Sequence, residues 1–255
     1  VLVLLHSEMI DPEVLIDIKE IPELMAISEE EGVWTVGAAL PGMKIIDNEQ
    51  FNRAWPGVCE GVALIGSVQV KGRASIAGNL CNASPAADSV PAIIAAGAIA
   101  NIVGPNGPRK EAVENIVVAP GKTSLATGEL ITSFEFPKML PNSGDCYLRL
   151  TPRTEMDIAV VGAGVNITLD DDGICTAARV AIGAVAPTPL LVQAASDALV
   201  GTKLEENALN GMVEAVRSAC DPISDKRGTK EYRIKTAGVI ARRAALKALE
   251  RARES

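Results

Sequence analysis

Apolar and polar positions follow two different patterns along this chain, and the pattern changes near residue 137. In the first part, alternation with period two in GVWTVGAAL (32–40) and LITSFEFP (130–137) predicts strands. The apolar run PAIIAAGAIANIVGP (91–105) predicts a helix followed by a strand. The other elements predicted here are a helix end at residues 1–9, a short strand from Val14 to Ile18, a turn or short helix at Pro22, a helix from Met43 to Trp55, and a strand-like run at VALIGSVQV (62–70).

The segment PKMLPNSGD (137–145) is rich in Pro, Gly and Asn, which is typical of a linker, and we place a domain boundary there. Beyond it, strands are predicted at residues 147–151, 157–169 and 174–185, with a hairpin turn at DDDG (170–173). Three further stretches, at residues 190–201, 204–220 and 229–254, predict helices. Because strands and helices are grouped rather than strictly alternating, the predicted fold class is α+β.

Composition excludes several functional classes. The formal net charge of -8 argues against nucleic acid and anionic membranes as partners. No apolar run approaches the roughly 18 residues of a transmembrane helix. The five cysteines are scattered without a C-x-x-C pair, which argues against a zinc or iron–sulfur site and suits the reducing cytoplasm. The single histidine, His6, makes acid–base catalysis by histidine improbable.

Two glycine-containing stretches mimic nucleotide-binding motifs. IAVVGAGVNITL (158–169) has G-x-G after a strand-like run, but Ile167 replaces the third glycine and no helix follows. We interpret it as a strand whose small residues let another element pack closely. GPNGPRK (104–110) lacks the G-K-[ST] ending of a phosphate loop, so it predicts a turn between strands.

The segment GRASIAGNLCNASPAADSVP (72–91) is unusual because it has almost no large apolar side chains, so we do not expect it to be a packing element. Small residues let a backbone approach a ligand, and free N–H groups with Ser and Asn donors suit a pyrophosphate. Asp88 could accept a hydrogen bond from a ribose or ribityl hydroxyl. On composition alone, a buried structural loop explains the segment equally well.

The same segment resembles the second FAD-binding segment of the flavin subunits of molybdenum hydroxylases. The pattern of that family is T-I-G-G-N followed by N-A-S-P-A-A-D. The corresponding residues here are 75–79, SIAGN, and 82–88, NASPAAD. LIDIKEIPEL, GELITSFEFP, YLRLTPRTEMDIAVVGAGV and DPISDKRGTKEYR resemble further family motifs in the same order.

This resemblance implies a fold of two domains. Residues 1–138 would form an FAD-binding domain of the vanillyl-alcohol-oxidase or PCMH type with a truncated first lobe. Residues 145–255 would form a carbon monoxide dehydrogenase flavoprotein-type C-terminal domain, a three-stranded antiparallel sheet with helices. Family members carry an A-G-G-T-D loop before the point where this sequence starts, and whether FAD is retained without that loop is left open.

The resemblance also implies the residues that contact FAD. The segment around Ser75 would bind the diphosphate, and residues further along the chain would reach the ribityl group and the rings. Arg149 would tune the flavin, or would instead form a salt bridge between the domains. The full set is Ser75, Ile76, Ala77, Gly78, Asn79, Ser84, Asp88, Leu130, Ile131 and Arg149. Two departures are Ala77, where relatives have glycine, and Ile65, where some relatives have an aromatic residue.

The implied function is that of an oxidoreductase subunit. A large molybdopterin subunit would hydroxylate the substrate, a small subunit would relay electrons through [2Fe–2S] clusters, and FAD in this chain would pass them to NAD⁺, a quinone or oxygen. The expected assembly is a cytoplasmic dimer of heterotrimers. Two alternatives stay open: a flavin-free scaffolding subunit, and a stand-alone FAD oxidoreductase of the vanillyl-alcohol-oxidase superfamily.

Overall fold

Two hydrophobic cores form in the computed structural model, one on each side of the connection at residues 137–142. The structure describes residues 5, 7–8, 10–154 and 156–255. The helix end predicted at residues 1–9 and the histidine at position 6 therefore lie wholly or mostly outside the described residues. No helix in the described ranges combines the length and the apolar character needed to cross a membrane.

The first core is built on a five-stranded antiparallel sheet with the order β1-β2-β7-β3-β4. Alternating apolar residues of the predicted strands, such as Phe134 and Phe136, point into this core, while Glu135 between them lies on the other face. The strands up to the linker are β1 (Ile27–Glu30), β2 (Val33–Gly37), β3 (Ile99–Gly104), β4 (Gly107–Ala112), β5 (Val117–Ala119), β6 (Lys122–Thr123) and β7 (Leu130–Phe136). The turn predicted at GPNGPRK is confirmed, because it joins β3 to β4.

Six short helices pack around this sheet. They are α1 (Gly42–Ile46), α2 (Glu49–Ala54), α3 (Pro56–Ala63), α4 (Val68–Lys71), α5 (Ile76–Cys81) and α6 (Ser89–Ala95), and 3-10 turns occur at Pro22–Met25 and Val113–Asn115. The helix predicted from Met43 to Trp55 is divided in two. Asn48 interrupts it because its Oδ1 accepts a hydrogen bond from the N–H of Phe51 at 2.9 Å and starts a new helix.

Two strand predictions in this half are wrong. The run VALIGSVQV contains the end of α3 and the first three residues of α4, because Ser67 caps α4 by accepting a hydrogen bond from the N–H of Val70. The run from Val14 to Ile18 is not a strand in the structure, and the side chains of Val14, Leu15 and Ile16 are exposed. A strand needs a hydrogen-bonded neighbour, and no described segment pairs with this one.

The second core lies between a four-stranded antiparallel sheet and three helices. The sheet has the order β11-β10-β9-β8, so the three predicted strands are present and a two-residue strand extends the edge. Its elements are β8 (Ser143–Leu150), β9 (Val161–Leu169), β10 (Cys175–Gly183) and β11 (Leu190–Leu191), followed by α7 (Gln193–Asp197), α8 (Glu206–Ala219) and α9 (Lys230–Glu254). The predicted DDDG turn joins β9 to β10.

Two glycines of strand β9 allow close packing at the contact between the two halves and within the second sheet. Gly164 has no room for a side chain, because a Cβ built there would lie 2.4 Å from the carbonyl oxygen of Pro91 in helix α6. A Cβ at Gly162 would come equally close to the hydroxyl of Tyr147 on β8. The prediction that small residues in this strand allow close packing is therefore confirmed.

We expect Gly164→Ala to destabilise the chain by about 1–3 kcal/mol, because helix α6 must move to admit the methyl group. The measurement is the free energy of unfolding in urea. Gly211→Ala in helix α8 is the matched control, since its added Cβ would meet nothing nearer than 3.7 Å. That control should stabilise the chain by about 0.5–1 kcal/mol through helix propensity. Equal effects of the two substitutions would contradict this account of the interface.

Candidate cofactor site at the domain interface

The small-residue segment contains a helix, although its composition did not suggest a packing element. Ser75 caps helix α5, since its Oγ accepts a hydrogen bond from the N–H of Gly78 at 3.1 Å. Ile76 and Leu80 are buried in the first core and anchor the helix to it. The expectation that this segment does not pack is therefore wrong. Ile76 and Leu80 lie four positions apart, on one face of the helix, and Ala83, Ala87 and Val90 are buried in the same core.

The start of this segment presents unused hydrogen-bond donors. The backbone N–H groups of Ser75, Ile76 and Ala77 have no acceptor among the described residues. A Cβ built at Gly78 would meet only the Ser75 Oγ, at 3.4 Å, so the space beside this glycine is otherwise open. Ala77 is not among the residues with positive φ, so the methyl group that replaces the usual glycine causes no backbone strain.

The side-chain oxygen of Asn79 holds the segment in place. Its Oδ1 accepts hydrogen bonds from the N–H of Ser89 at 3.2 Å and from the Ser89 Oγ at 2.7 Å. This ties helix α5 to the first turn of helix α6. The amide NH₂ of Asn79 has no acceptor among the described residues, so it is the part of this side chain that is free to meet a ligand.

Ser84 lies in the turn between the two helices. Its Oγ accepts a hydrogen bond from the N–H of Ala86 at 3.3 Å, and Ala83 before it adopts a left-handed conformation with φ of 50°. The carbonyl oxygen of Ala83 accepts a hydrogen bond from the N–H of Gly121 at 3.0 Å. The turn is thus held by its own backbone, with a half-buried serine at its surface.

Asp88 is engaged on both of its carboxylate oxygens. Oδ1 accepts a hydrogen bond from the hydroxyl of Tyr147 at 3.1 Å, and Oδ2 accepts one from Nη1 of Arg149 at 2.8 Å. Burial raises the pKa of Asp88 to about 6, although Arg149 and Tyr147 act in the opposite direction. Sequence reasoning missed Tyr147, and only the register of β8 beside the glycines of β9 would have indicated it.

Arg149 joins the two domains through one nitrogen. Its Nη1 donates to Asp88 and also to the carbonyl oxygen of Leu64 at 3.1 Å, and only 5% of the side chain is exposed. The salt bridge considered from the sequence is therefore present. Nε and Nη2 have no acceptor among the described residues, so the guanidinium still offers donors to a ligand.

Leu130 and Ile131 lie apart from this group, at the start of β7. Ile131 is buried in the first core and Leu130 is 39% exposed at the sheet surface. A register shift between Asn101 and Ile102 of β3 faces this position. No side-chain hydrogen bond connects these two residues to the segment 75–88, so any contact with a shared ligand would involve their backbone.

A second polar group, also based on strand β8, fixes the same interface. Asp145 of β8 is fully buried and accepts hydrogen bonds from the N–H groups of Gly57 and Val58 at the start of helix α3, at 3.0 and 3.2 Å. Glu60 of α3 accepts hydrogen bonds from Lys247 and Arg251 of helix α9 at 2.9 and 2.6 Å. Burial raises the pKa of Asp145 to about 7.

The unused donors decide which kind of ligand this interface fits. Three backbone N–H groups, one amide NH₂ and two guanidinium nitrogens lack an acceptor among the described residues, and the contacts of Asn79 with Ser89 and of Asp88 with Arg149 connect them through the start of helix α6. Such a set suits a ligand with many acceptor oxygens and negative charge. The diphosphate of a dinucleotide has this chemistry, so the residues present fit FAD.

Comparison with known proteins identifies the family. Residues 1–139 match the model of the FAD binding domain in molybdopterin dehydrogenase, and residues 147–248 match that of the CO dehydrogenase flavoprotein C-terminal domain. The chain belongs to this flavoprotein family. The predicted resemblance and α+β fold are thereby confirmed.

Individual relatives of this flavoprotein agree. The chain is 32% identical to the carbon monoxide dehydrogenase medium chain of Afipia carboxidovorans, over 98% of this chain and 86% of that protein. It is 29% identical to a xanthine dehydrogenase FAD-binding subunit of Escherichia coli, over 92% of this chain and 80% of that protein. Among solved structures, Cu,Mo-CO dehydrogenase superimposes with a TM-score of 0.93 at 32% identity, covering 98% and 87% of the two chains. Quinoline 2-oxidoreductase from Pseudomonas putida gives a TM-score of 0.89 at 27% identity, covering 98% of this chain and 87% of that chain.

Asp88 should make the stability of the cofactor-free chain depend on pH. Because its pKa in the folded chain is about 6, above the ordinary value of about 4, folding favours the protonated carboxyl. Its contribution to stability is therefore complete below about pH 4 and is lost as the pH rises through 6. The measurement is the free energy of unfolding from pH 4 to pH 7.5 for the native chain and for Asp88→Asn.

The difference in the free energy of unfolding between the native chain and Asp88→Asn should change between pH 4 and pH 7.5. Asp47→Asn, at an exposed aspartate directly after helix α1, is the control and should leave the profile of the native chain unaltered. The contribution of Asp145 is common to all three proteins and cancels in the differences. If this difference for Asp88→Asn does not vary with pH, the carboxylate of Asp88 is ionised over the whole range.

Proposed function

We propose that this flavoprotein is the FAD-carrying electron-transfer subunit of a molybdopterin hydroxylase complex. It would receive electrons from the [2Fe–2S] clusters of a small partner subunit, after substrate hydroxylation by a large molybdopterin subunit. It would deliver them to an external acceptor, which is NAD⁺, a quinone or oxygen. The observation that carries this proposal is the row of free backbone N–H groups at Ser75, Ile76 and Ala77, beside a buried arginine whose donors are only partly used.

The bare backbone would hold the diphosphate. The N–H groups of Ser75, Ile76 and Ala77 would donate to its oxygens, and Gly78 would keep the approach open. Backbone donors are already fixed by the helix cap, so binding does not have to order them. The amide NH₂ of Asn79 would add one more donor, while its Oδ1 continues to hold Ser89.

Ser84 and Asp88 would meet the phosphate–ribityl region. The hydroxyl of Ser84 can donate while its oxygen accepts from Ala86. A carboxylate offers about four acceptor positions, and Asp88 uses two of them for Tyr147 and Arg149. Two positions are left for hydroxyl groups of a ligand, so the interdomain contact and the ligand contact are compatible.

Arg149 would lie against the flavin ring system, bordered by the backbone of Leu130 and Ile131. FAD supplies the two-electron redox chemistry, and the protein supplies position and electrostatics. A buried cation favours the more negative, reduced form of a neighbouring group. The contact with Asp88 fixes where this charge lies, so it would set the flavin potential and stabilise the interface together.

The domain bounds and the assembly belong to the same proposal. Residues 1–138 would carry most FAD contacts, and residues 145–255 would add Arg149 across the interface. The complex would be a dimer of heterotrimers in the cytoplasm. A flavin-free scaffold or a stand-alone oxidoreductase would be distinguished by the cofactor content and the partner requirement of the purified protein.

The first test is the visible spectrum and the subunit composition of the native complex. Bound oxidised flavin absorbs at roughly 450 nm. We expect this absorption together with a large molybdopterin chain and a small iron–sulfur chain, and reduction of the flavin only when both partners are present. A colourless complex would favour a scaffold, and flavin turnover by the isolated chain would favour a stand-alone oxidoreductase.

The second test concerns Arg149. Arg149→Met should lower the midpoint potential of the bound flavin by roughly 30 mV or more, which for two electrons is about 1.4 kcal/mol. Arg149→Lys keeps the charge and should restore most of the potential. Arg53→Met, at an exposed arginine of helix α2, is the control. The midpoint potentials of these variants could instead correlate with their stabilities and not with the charge at position 149. That result would limit Arg149 to a structural role.

A further inference from the structure

Asp88 stands at the start of helix α6 but does not cap it. An aspartate at this position ordinarily accepts a hydrogen bond from an N–H group in the first turn of its own helix. The side chain of Asp88 makes no such bond, and Asn79 accepts from the N–H of Ser89 instead. Both carboxylate oxygens of Asp88 accept from residues of the second domain, and the side chain is only 11% exposed. The carboxylate is therefore directed away from its own helix and into the interface.

Tyr147 of strand β8 holds one of these oxygens. It is only 2% exposed, so its hydroxyl needs an acceptor within the protein. Its backbone N–H donates to Oε2 of Glu60 on helix α3 at 2.9 Å, and its hydroxyl donates to Oδ1 of Asp88 at 3.1 Å. The hydroxyl lies over Gly162 of β9, where an added Cβ would collide with it. Tyr147 is thus fixed at both ends, with its hydroxyl against Asp88.

The hydroxyl of Tyr147 leaves the second oxygen of Asp88 to a cation. Oδ2 accepts from Nη1 of Arg149 at 2.8 Å. An ionised Asp88 balances the charge of Arg149, whereas a protonated Asp88 leaves that charge uncompensated. Burial raises the pKa of Asp88 to about 6, while Arg149 and Tyr147 lower it. Tyr147 is therefore one of two groups that keep Asp88 ionised at neutral pH.

The other charged residues on elements packed against helix α6 have partners of their own. Glu60 pairs with Lys247 and Arg251, Arg179 pairs with Glu114, and Asp145 accepts from the N–H groups of Gly57 and Val58. The polar neighbour on helix α5, Asn79, is neutral. The protonation of Asp88 is consequently governed by its burial, by Arg149 and by Tyr147.

We propose that Tyr147 is a positioning residue of the cofactor site, which holds the Asp88 carboxylate against Arg149 and thereby makes the charge offered to the flavin depend on the protonation of Asp88. This inference rests on the proposed function, in which Arg149 lies against the flavin. With Asp88 ionised, the pair is neutral. With Asp88 protonated, the guanidinium charge acts in full and favours the more negative, reduced flavin. The flavin potential should accordingly have an additional dependence on pH where Asp88 titrates.

The first test follows Asp88 itself in the full chain freed of flavin. NMR of the labelled aspartate carboxyl carbons gives its titration, and Asp88→Asn identifies the signal. Tyr147→Phe keeps the ring and removes the hydroxyl, so it should move the midpoint of this titration upward by about one pH unit or more. Tyr232→Phe, at the exposed tyrosine of helix α9, is the matched control and should leave the midpoint unaltered. An unaltered midpoint in Tyr147→Phe would overturn the inference.

The second test measures the midpoint potential of the bound flavin in the complex as a function of pH. Tyr147→Phe should raise the potential at pH 7, the direction opposite to that of Arg149→Met, because more of the Arg149 charge is uncompensated. Added to Asp88→Asn, it should have no further effect, since no carboxyl group is left to titrate.

Two results of the second test would limit Tyr147 to a structural role and overturn the inference. One is a potential that does not respond to Tyr147→Phe, and the other is an equal response in the absence of the Asp88 carboxylate. A native complex without flavin would instead overturn the proposed function. The titration of Asp88 in the flavin-free chain would still decide whether Tyr147 holds the carboxylate, so the two failures are distinguishable.

Discussion

The close contact of helix α6 with strand β9 is the constraint on which the rest of the structure depends. Helix and strand approach until only glycine fits at position 164. This distance brings the start of α6, with Asp88, beneath the side chains of Tyr147 and Arg149 on the neighbouring strand. Because Asn79 is bonded to Ser89 of the same helix, the backbone donors of the cofactor segment are placed by the contact as well. Packing at one glycine therefore positions Asp88 against Tyr147 and Arg149 of the second domain, and places the segment 75–79 beside them through Asn79 and Ser89.

The polar groups at the interface fix the relative orientation of the two domains that this packing brings together. Buried ion pairs contribute little net stability, because removing both charges from water costs about as much as their attraction gains. Asp88 with Arg149, and Asp145 with the start of helix α3, are therefore better explained as devices that fix one orientation of the domains. Two such contacts on the same face of the second sheet prevent rotation about either one. A flavin held between the domains needs this rigidity, since electron transfer depends on fixed distances.

The sequence predicted much of the fold, and its failures have identifiable physical causes. Strands such as β7 and the helices α8 and α9 follow periodic patterns, because each buries one face in a core. The strand assigned to VALIGSVQV fails because Ser67 caps a helical turn, a local signal that outweighed the β-branched residues. Motif resemblance singled out Asp88 and Arg149 as candidate site residues but did not indicate Tyr147. The importance of Tyr147 comes from its hydrogen bond to Asp88 across the domain interface, which spacing along the chain does not record.

The distribution of unused donors links cofactor binding to stability. The backbone N–H groups of Ser75, Ile76 and Ala77 and two guanidinium nitrogens of Arg149 have no acceptor among the described residues. A protein that leaves N–H groups without acceptors is less stable than its packing allows. Binding of an anionic ligand then stabilises the folded chain by an amount that grows with ligand concentration. The same unsatisfied groups that weaken the empty chain would thus contribute to the affinity for a flavin dinucleotide.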